Sequence, residues 1–166
     1  EETSLVTELI HTITDTSGQL AIGVSETHHH IHEMKQGMEE CLYAAMLHRG
    51  QNSLYLHYNT IGAYQMIFPF ASSKEMERFS NKIMNPIRDF DAENKFKLTE
   101  TLIQFIKLNG NLNQLSKTLS LHENTLRYRL EKIEYLTGLN FRNPEHYNQL
   151  SLAVKIHICN ELLNSF

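Results

Sequence analysis

The side chains with most chemistry to offer are Asn111, Asn113, His122, Asn124, Thr125, Arg127, Tyr128 and Arg129, all within one short stretch. None of them forms part of a nucleophile elbow, a phosphate-cradling glycine loop or a paired-carboxylate site. What they offer is hydrogen bonding from amides, hydroxyls, an imidazole and guanidinium groups. On one outward face, Arg, Asn, Thr and Tyr bond phosphate oxygens and base edges. Arg127 is the best candidate for reading a base, because its planar fork matches the two acceptors of guanine.

The elements that would present these groups are legible from periodicity. Leu112, Leu115 and Leu119 form one apolar stripe of a first short helix, and small Ser116 stands where a second helix must approach. Ser120-Leu121-His122 makes a turn, with Leu121 placed to plug the angle. Leu126, Leu130 and Ile133 repeat on the second helix. At 100° per residue, Asn124, Tyr128, Glu131 and Tyr135 point away from that stripe and Arg127 lies on its flank. Asn111 and Asn113 stand at the start of the first helix, where backbone amides face an anion. This is the pattern of a helix-turn-helix, whose second helix enters the major groove of DNA. An ordinary helical hairpin with a solvated face has the same periodicity.

Neighbouring elements complete the unit. Leu98, Leu102, Phe105 and Ile106 repeat on a preceding helix that stops at Asn109-Gly110. Thr137-Gly138 ends the second hairpin helix. Asn143 then caps a long helix, about 145 to 164, with Pro144 in its first turn. The apolar residues of that helix cover more than one face, as expected for deep packing or a partner chain.

Several runs together resemble the C-terminal helix-turn-helix of PucR/CdaR-type bacterial transcription regulators. They are Thr101-Leu102, Asn109-Gly110-Asn111-Leu112, the run from Leu121 to Ile133, and Leu136-Thr137-Gly138-Leu139. The His122-x-Asn124-Thr125-Leu126-Arg127-Tyr128-Arg129-Leu130 core is far more specific than a generic hairpin pattern. Asn85-Pro86-Ile87 and Phe90-Asp91 resemble the segment leading into that domain. The Gly-Asn start and the Asn-Thr-Leu-Arg core also resemble the DNA-binding end of Fis-type proteins. The resemblance covers about residues 84 to 158. It implies a sequence-specific DNA-binding regulator of a catabolic operon that responds to a small-molecule effector.

The beginning of the chain has another character. Gln19 to Ser25 reads as a strand, residues 33 to 48 as a helix with Met34, Met38, Cys41, Leu42 and Ala45 on one face, and Ser53 to Tyr58 as a second strand. A helix near Ser4 to Ile13 precedes them. This small α/β unit resembles the end of the GGDEF-like domain of CdaR-type regulators, with Ile61-Gly62-Ala63-Tyr64 continuing the pattern. No Gly-Gly-Asp/Glu-Glu-Phe run is present. In the cyclase fold that hairpin would precede the Ile22 strand, so the chain reads as a fragment of a longer protein without cyclase activity. The expected fold class is α+β, a partial α/β unit followed by an all-α domain. The expected boundaries are 1–68 for the GGDEF-like part, 69–93 for a helical connector and 94–166 for the helix-turn-helix domain.

Composition bounds the remaining classes. The chain of 166 residues is 41% hydrophobic and carries a net charge of −4. The charge is uneven: residues 97–166 hold eight basic and six acidic groups, whereas residues 1–96 hold seven and thirteen. The mildly basic C-terminal part predicts weak nonspecific DNA binding, and a homodimer would double the phosphate contacts. No run of apolar residues is long enough for a membrane span, and no signal peptide is visible, so a cytoplasmic location is expected. Cys41 and Cys159 read as reduced core thiols. His28, His29, His30 and His32 place four imidazoles within five residues, a cluster read as a solvated loop and not as a metal site. Met34, Met38 and Met46 read as core. No cofactor and no enzymatic activity are expected, and an effector would bind a part outside this chain. A protein-interaction module and a degenerate nucleotide sensor are the rival functions.

Overall fold

The computed structural model describes residues 21–48, 53, 55–94 and 96–165. The helix expected near Ser4 to Ile13 and the beginning of the first strand lie outside these residues. The chain divides into two compact units, the first ending at Pro69 and the second running from Phe70 to Ser165.

In the first unit, β1 (Gly23–Val24) and β2 (Leu56–His57) pair in parallel, with Gly23 opposite Leu56 and Val24 opposite His57. Among the described residues, both strands are shorter than their apolar runs suggested. A parallel pair needs a crossover, and α1 (Met34–His48) supplies it. The helix lies so close to β1 that a Cβ on Gly23 would stand 2.0 Å from the Cys41 carbonyl oxygen, so only glycine fits there. Buried His48 ties the two ends together: its Nδ1 accepts from the Ile22 amide (3.0 Å), and its Nε2 lies 2.6 Å from the Ser53 carbonyl. Buried Glu40 accepts from the Glu26 amide (3.0 Å), from Gln36 (2.9 Å) and from His28 Nε2 (2.9 Å). Burial opposes its ionisation, but these hydrogen bonds prevail and hold its carboxyl below the usual range. A single helical turn, α2 (Tyr64–Ile67), follows β2.

The expectation for the methionines is corrected here. Met46 is buried, but Met34 and Met38 are 59% and 70% exposed. The face of α1 that packs inward carries Gly37, Glu40, Ala44 and His48. The Met34-Met38-Leu42 stripe lies beside it and lines an open apolar cleft of about 890 Å³ with Ile22 and Cys41. A polar group, Glu40, won the inward position because three donors satisfy it there, a pairing that hydrophobic periodicity does not register.

The second unit is all helical: α3 (Lys74–Asn94), α4 (Leu98–Lys107), α5 (Leu112–Leu119), α6 (Glu123–Thr137) and α7 (Pro144–Asn164). One apolar core joins all five. Ile83, Met84 and Ile87 come from α3, Leu98, Leu102, Phe105 and Ile106 from α4, and Leu115 from α5. Leu126, Leu130 and Ile133 come from α6, and Leu150, Ala153 and Val154 from α7. Each fully buried Leu contributes about 1.5–3 kcal/mol of burial. The segment read as a connector is thus a long helix built into this core. Ser80 Oγ donates to the Ala153 carbonyl (2.9 Å), and these two small residues bring α3 and α7 into contact. Packing also explains the broad apolar surface of α7, where Leu150, Ala153, Val154, Ile156 and Cys159 are all buried.

Candidate nucleic-acid interface

Two sharp turns set the angles of α4, α5 and α6. Asn109 and Gly110 both take left-handed conformations (φ 49° and 77°), and the Gly110 amide returns to the Phe105 carbonyl at 2.9 Å. Asn111 then caps α5, its side-chain oxygen accepting from the Gln114 amide (3.1 Å). Between α5 and α6, Ser120 is left-handed (φ 52°), and Ser116 Oγ donates to the Leu121 carbonyl (2.6 Å). His122 caps α6, its Nδ1 accepting from the Asn124 amide (3.3 Å). Small Ser116 therefore locks the turn by a hydrogen bond as well as by its size.

This framework fixes which side of α6 faces outward. Leu126, Leu130 and Ile133 are buried, whereas Asn124, Thr125, Arg127, Tyr128, Glu131 and Tyr135 are exposed. Tyr128 and Tyr135 are 54% and 80% exposed. Asn111, Asn113 and His122 are exposed at the two helix starts. Arg127 pairs with Glu123 one turn earlier, and both side chains stay about half in solvent. Lys117, in the last turn of α5, is another exposed cation beside the turn.

Arg129 stands apart from that face. Its Nη1 donates to Thr101 Oγ1 (3.0 Å), and Thr101, itself fully buried, donates onward to the Lys97 carbonyl (2.7 Å). Arg129 is three residues from Leu126 and shares its side of the helix, so it braces α6 against α4. Periodicity placed its neighbours, but its basic character concealed an inward role.

Other supports carried no periodic signal. Asp91 of α3 accepts from the Leu98 and Thr99 amides (2.8 Å each), so the start of α4 is capped from another helix. Glu134 accepts from the Phe141 amide (2.7 Å) and holds the α6–α7 loop. Phe90, Phe96 and Lys132 gather beside Tyr128. Phe90 and Phe96, flanking the largely polar run 91–95, were the available hint.

Five packed helices, a locked turn and an outward polar face on α6 define a helix-turn-helix, and a family model described as the PucR C-terminal helix-turn-helix domain matches residues 98–156. Those residues form a PucR-type helix-turn-helix domain. The chain is also similar to three curated proteins of Bacillus subtilis (strain 168). It is 26% identical to the DNA-binding transcriptional activator AdeR over 60% of this chain, and 24% identical to the proline-responsive transcriptional activator PutR over 81%. It is 29% identical to the purine catabolism regulatory protein over 50% of this chain. The chain spans 24%, 34% and 15% of the lengths of these relatives. No solved structure matches it.

Nothing comparable assembles around the histidine cluster. His28 turns inward to Glu40, the His30 and His32 rings stack at 5.3 Å, and Glu33 accepts from the His29 and His30 amides. Among the described residues, no group of three or more His, Cys, Asp or Glu side chains is placed to hold a metal ion. No described helix is long and apolar enough to cross a membrane.

Proposed function

We propose that the PucR-type domain reads duplex DNA with α6 and that the chain is part of a regulator of transcription. The observation that carries this is the exposed face of α6, where Asn124, Thr125, Arg127 and Tyr128 stand on a rigid, fully packed helix-turn-helix. Arg127 is the base reader, by its bidentate match to guanine. Asn111, Asn113 and His122 sit at helix starts and contact phosphate, fixing register without reading sequence. The relatives named as activators and as a catabolic regulator support control of a catabolic operon in response to a small molecule. The role is non-enzymatic and the setting cytoplasmic.

Residues 1–68 are the end of a GGDEF-like effector or dimerisation domain, 69–93 the helical connector, and 94–166 the DNA-binding domain. The regulator works as a homodimer on a two-fold operator. One reading helix spans few base pairs, and residues 97–166, at net +2, neutralise few phosphates, so a second copy supplies both information and charge. The effector binds a part outside this chain. Binding selection from a randomised pool of duplexes tests the reading: enrichment of a defined motif supports it, and a pool that stays random refutes it.

A further inference from the structure

Phe96 lies just ahead of α4 and outside the residues matched by the family model. The residue is 37% exposed, a large apolar group left at the surface beside the reading helix. It packs between two other rings. The Phe90 centroid is 5.7 Å away with planes at 55°, and the Tyr128 centroid is 6.3 Å away at 46°. Lys132, one turn beyond Tyr128, places Nζ 4.6 Å from the Phe90 centroid and 5.0 Å from that of Tyr135. Phe90, Phe96 and Tyr128 thus form a ladder from α3 to the exposed face of α6, with a cation over its first ring.

Without this ladder, Tyr128 would sample several rotamers in water and lose that freedom on meeting a base pair. Side-chain ordering of this kind costs roughly a 3- to 10-fold loss of affinity per residue. We propose that Phe96 is a positioning residue for sequence reading: with Phe90 it holds Tyr128 in a DNA-competent orientation. The ligand is duplex DNA, and the inference rests on the reading of α6 given above. It extends the reading surface to residues outside the helix-turn-helix, Phe90 on α3 and Phe96 in the loop between α3 and α4.

The test uses the full chain, the duplex enriched from a randomised pool, and a scrambled duplex of equal length. The readout is the ratio of the two affinities. Phe96→Ala should lower that ratio about 3- to 10-fold, and Phe96→Tyr, which keeps a ring, should preserve it. In a Tyr128→Ala background, Phe96→Ala should change the ratio no further. Equal losses on both duplexes, or the same loss with Tyr128 already removed, would overturn the positioning role. If Phe96→Ala melts below the assay temperature, Phe96→Leu keeps the bulk without the flat ring and carries the same expectations. A ratio indifferent to Tyr128→Ala also overturns the brace, while leaving DNA reading by Arg127 intact. A pool that yields no enriched duplex refutes the DNA reading itself and the brace with it.

Discussion

Arg127 in the free protein is held by Glu123, and DNA must compete for it. The two side chains are 56% and 45% exposed. An exposed pair one turn apart on a helix is worth only about 0.3–0.5 kcal/mol. A bidentate contact to guanine is worth about 1–3 kcal/mol. On the proposed reading the guanine contact wins, and the ion pair holds the guanidinium only weakly in the free protein. Arg127→Ala should therefore bind the preferred duplex roughly 5- to 150-fold more weakly. A scrambled duplex should suffer much less, because it offers Arg127 only phosphate. Folding stability should change by no more than about 0.5 kcal/mol. Glu123→Gln should leave affinity for both duplexes equal or higher, since it frees Arg127 and removes a negative charge beside DNA. Fluorescence anisotropy on labelled duplexes at one fixed salt concentration measures all six affinities, those of the unaltered chain and of both variants on each duplex. An Arg127→Ala variant with equal losses on both duplexes would make Arg127 a phosphate contact. A weaker Glu123→Gln would show that the pair orients Arg127 productively, refuting the competition argument.

Three further outcomes follow from the supports of the helical unit. Asp91→Ala removes two hydrogen bonds from the start of α4 and should cost about 0.5–2 kcal/mol in denaturant unfolding, and an unchanged midpoint would count against the cap. Burial pushes the Cys159 thiol up to about 12, so a thiol reagent at pH 8 should modify Cys41, which lines the open cleft, long before Cys159, and simultaneous modification would contradict this. Burial, reinforced by Arg88 and opposed by Glu161, holds His157 below its ordinary value of 6.5. The folded state therefore binds fewer protons, and melting temperature should fall as pH drops from 7.5 through 6.5 and below, with His157→Gln flattening that slope and an unaltered slope excluding His157 as its source.

Periodicity located α4, α5 and α6 because each one buries a stripe at helical spacing, whereas α7 was legible from its Asn143-Pro144 start. Leu126, Leu130 and Ile133, or Leu98 and Leu102, leave no other register in which the core closes. Caps were legible where they are local, as at Asn143, whose side chain accepts from the Glu145 and His146 amides. Long-range supports left no such mark. The Asp91 cap and the Arg129–Thr101 bond join residues from different helices, and only packing decides that an Asp serves another helix or that an Arg turns inward. The same limit explains α1, where a satisfied Glu40 displaced the methionine stripe from the interior.

Methylation protection of guanine N7 decides whether α6 lies in the major groove of DNA, because N7 is exposed in that groove alone. With the duplex enriched from a randomised pool, guanines within the selected motif should be protected, and Arg127→Ala should unprotect one guanine per half-site while leaving the rest covered. Bound DNA whose N7 atoms remain fully reactive throughout the motif would place the contact outside the major groove and contradict reading by α6.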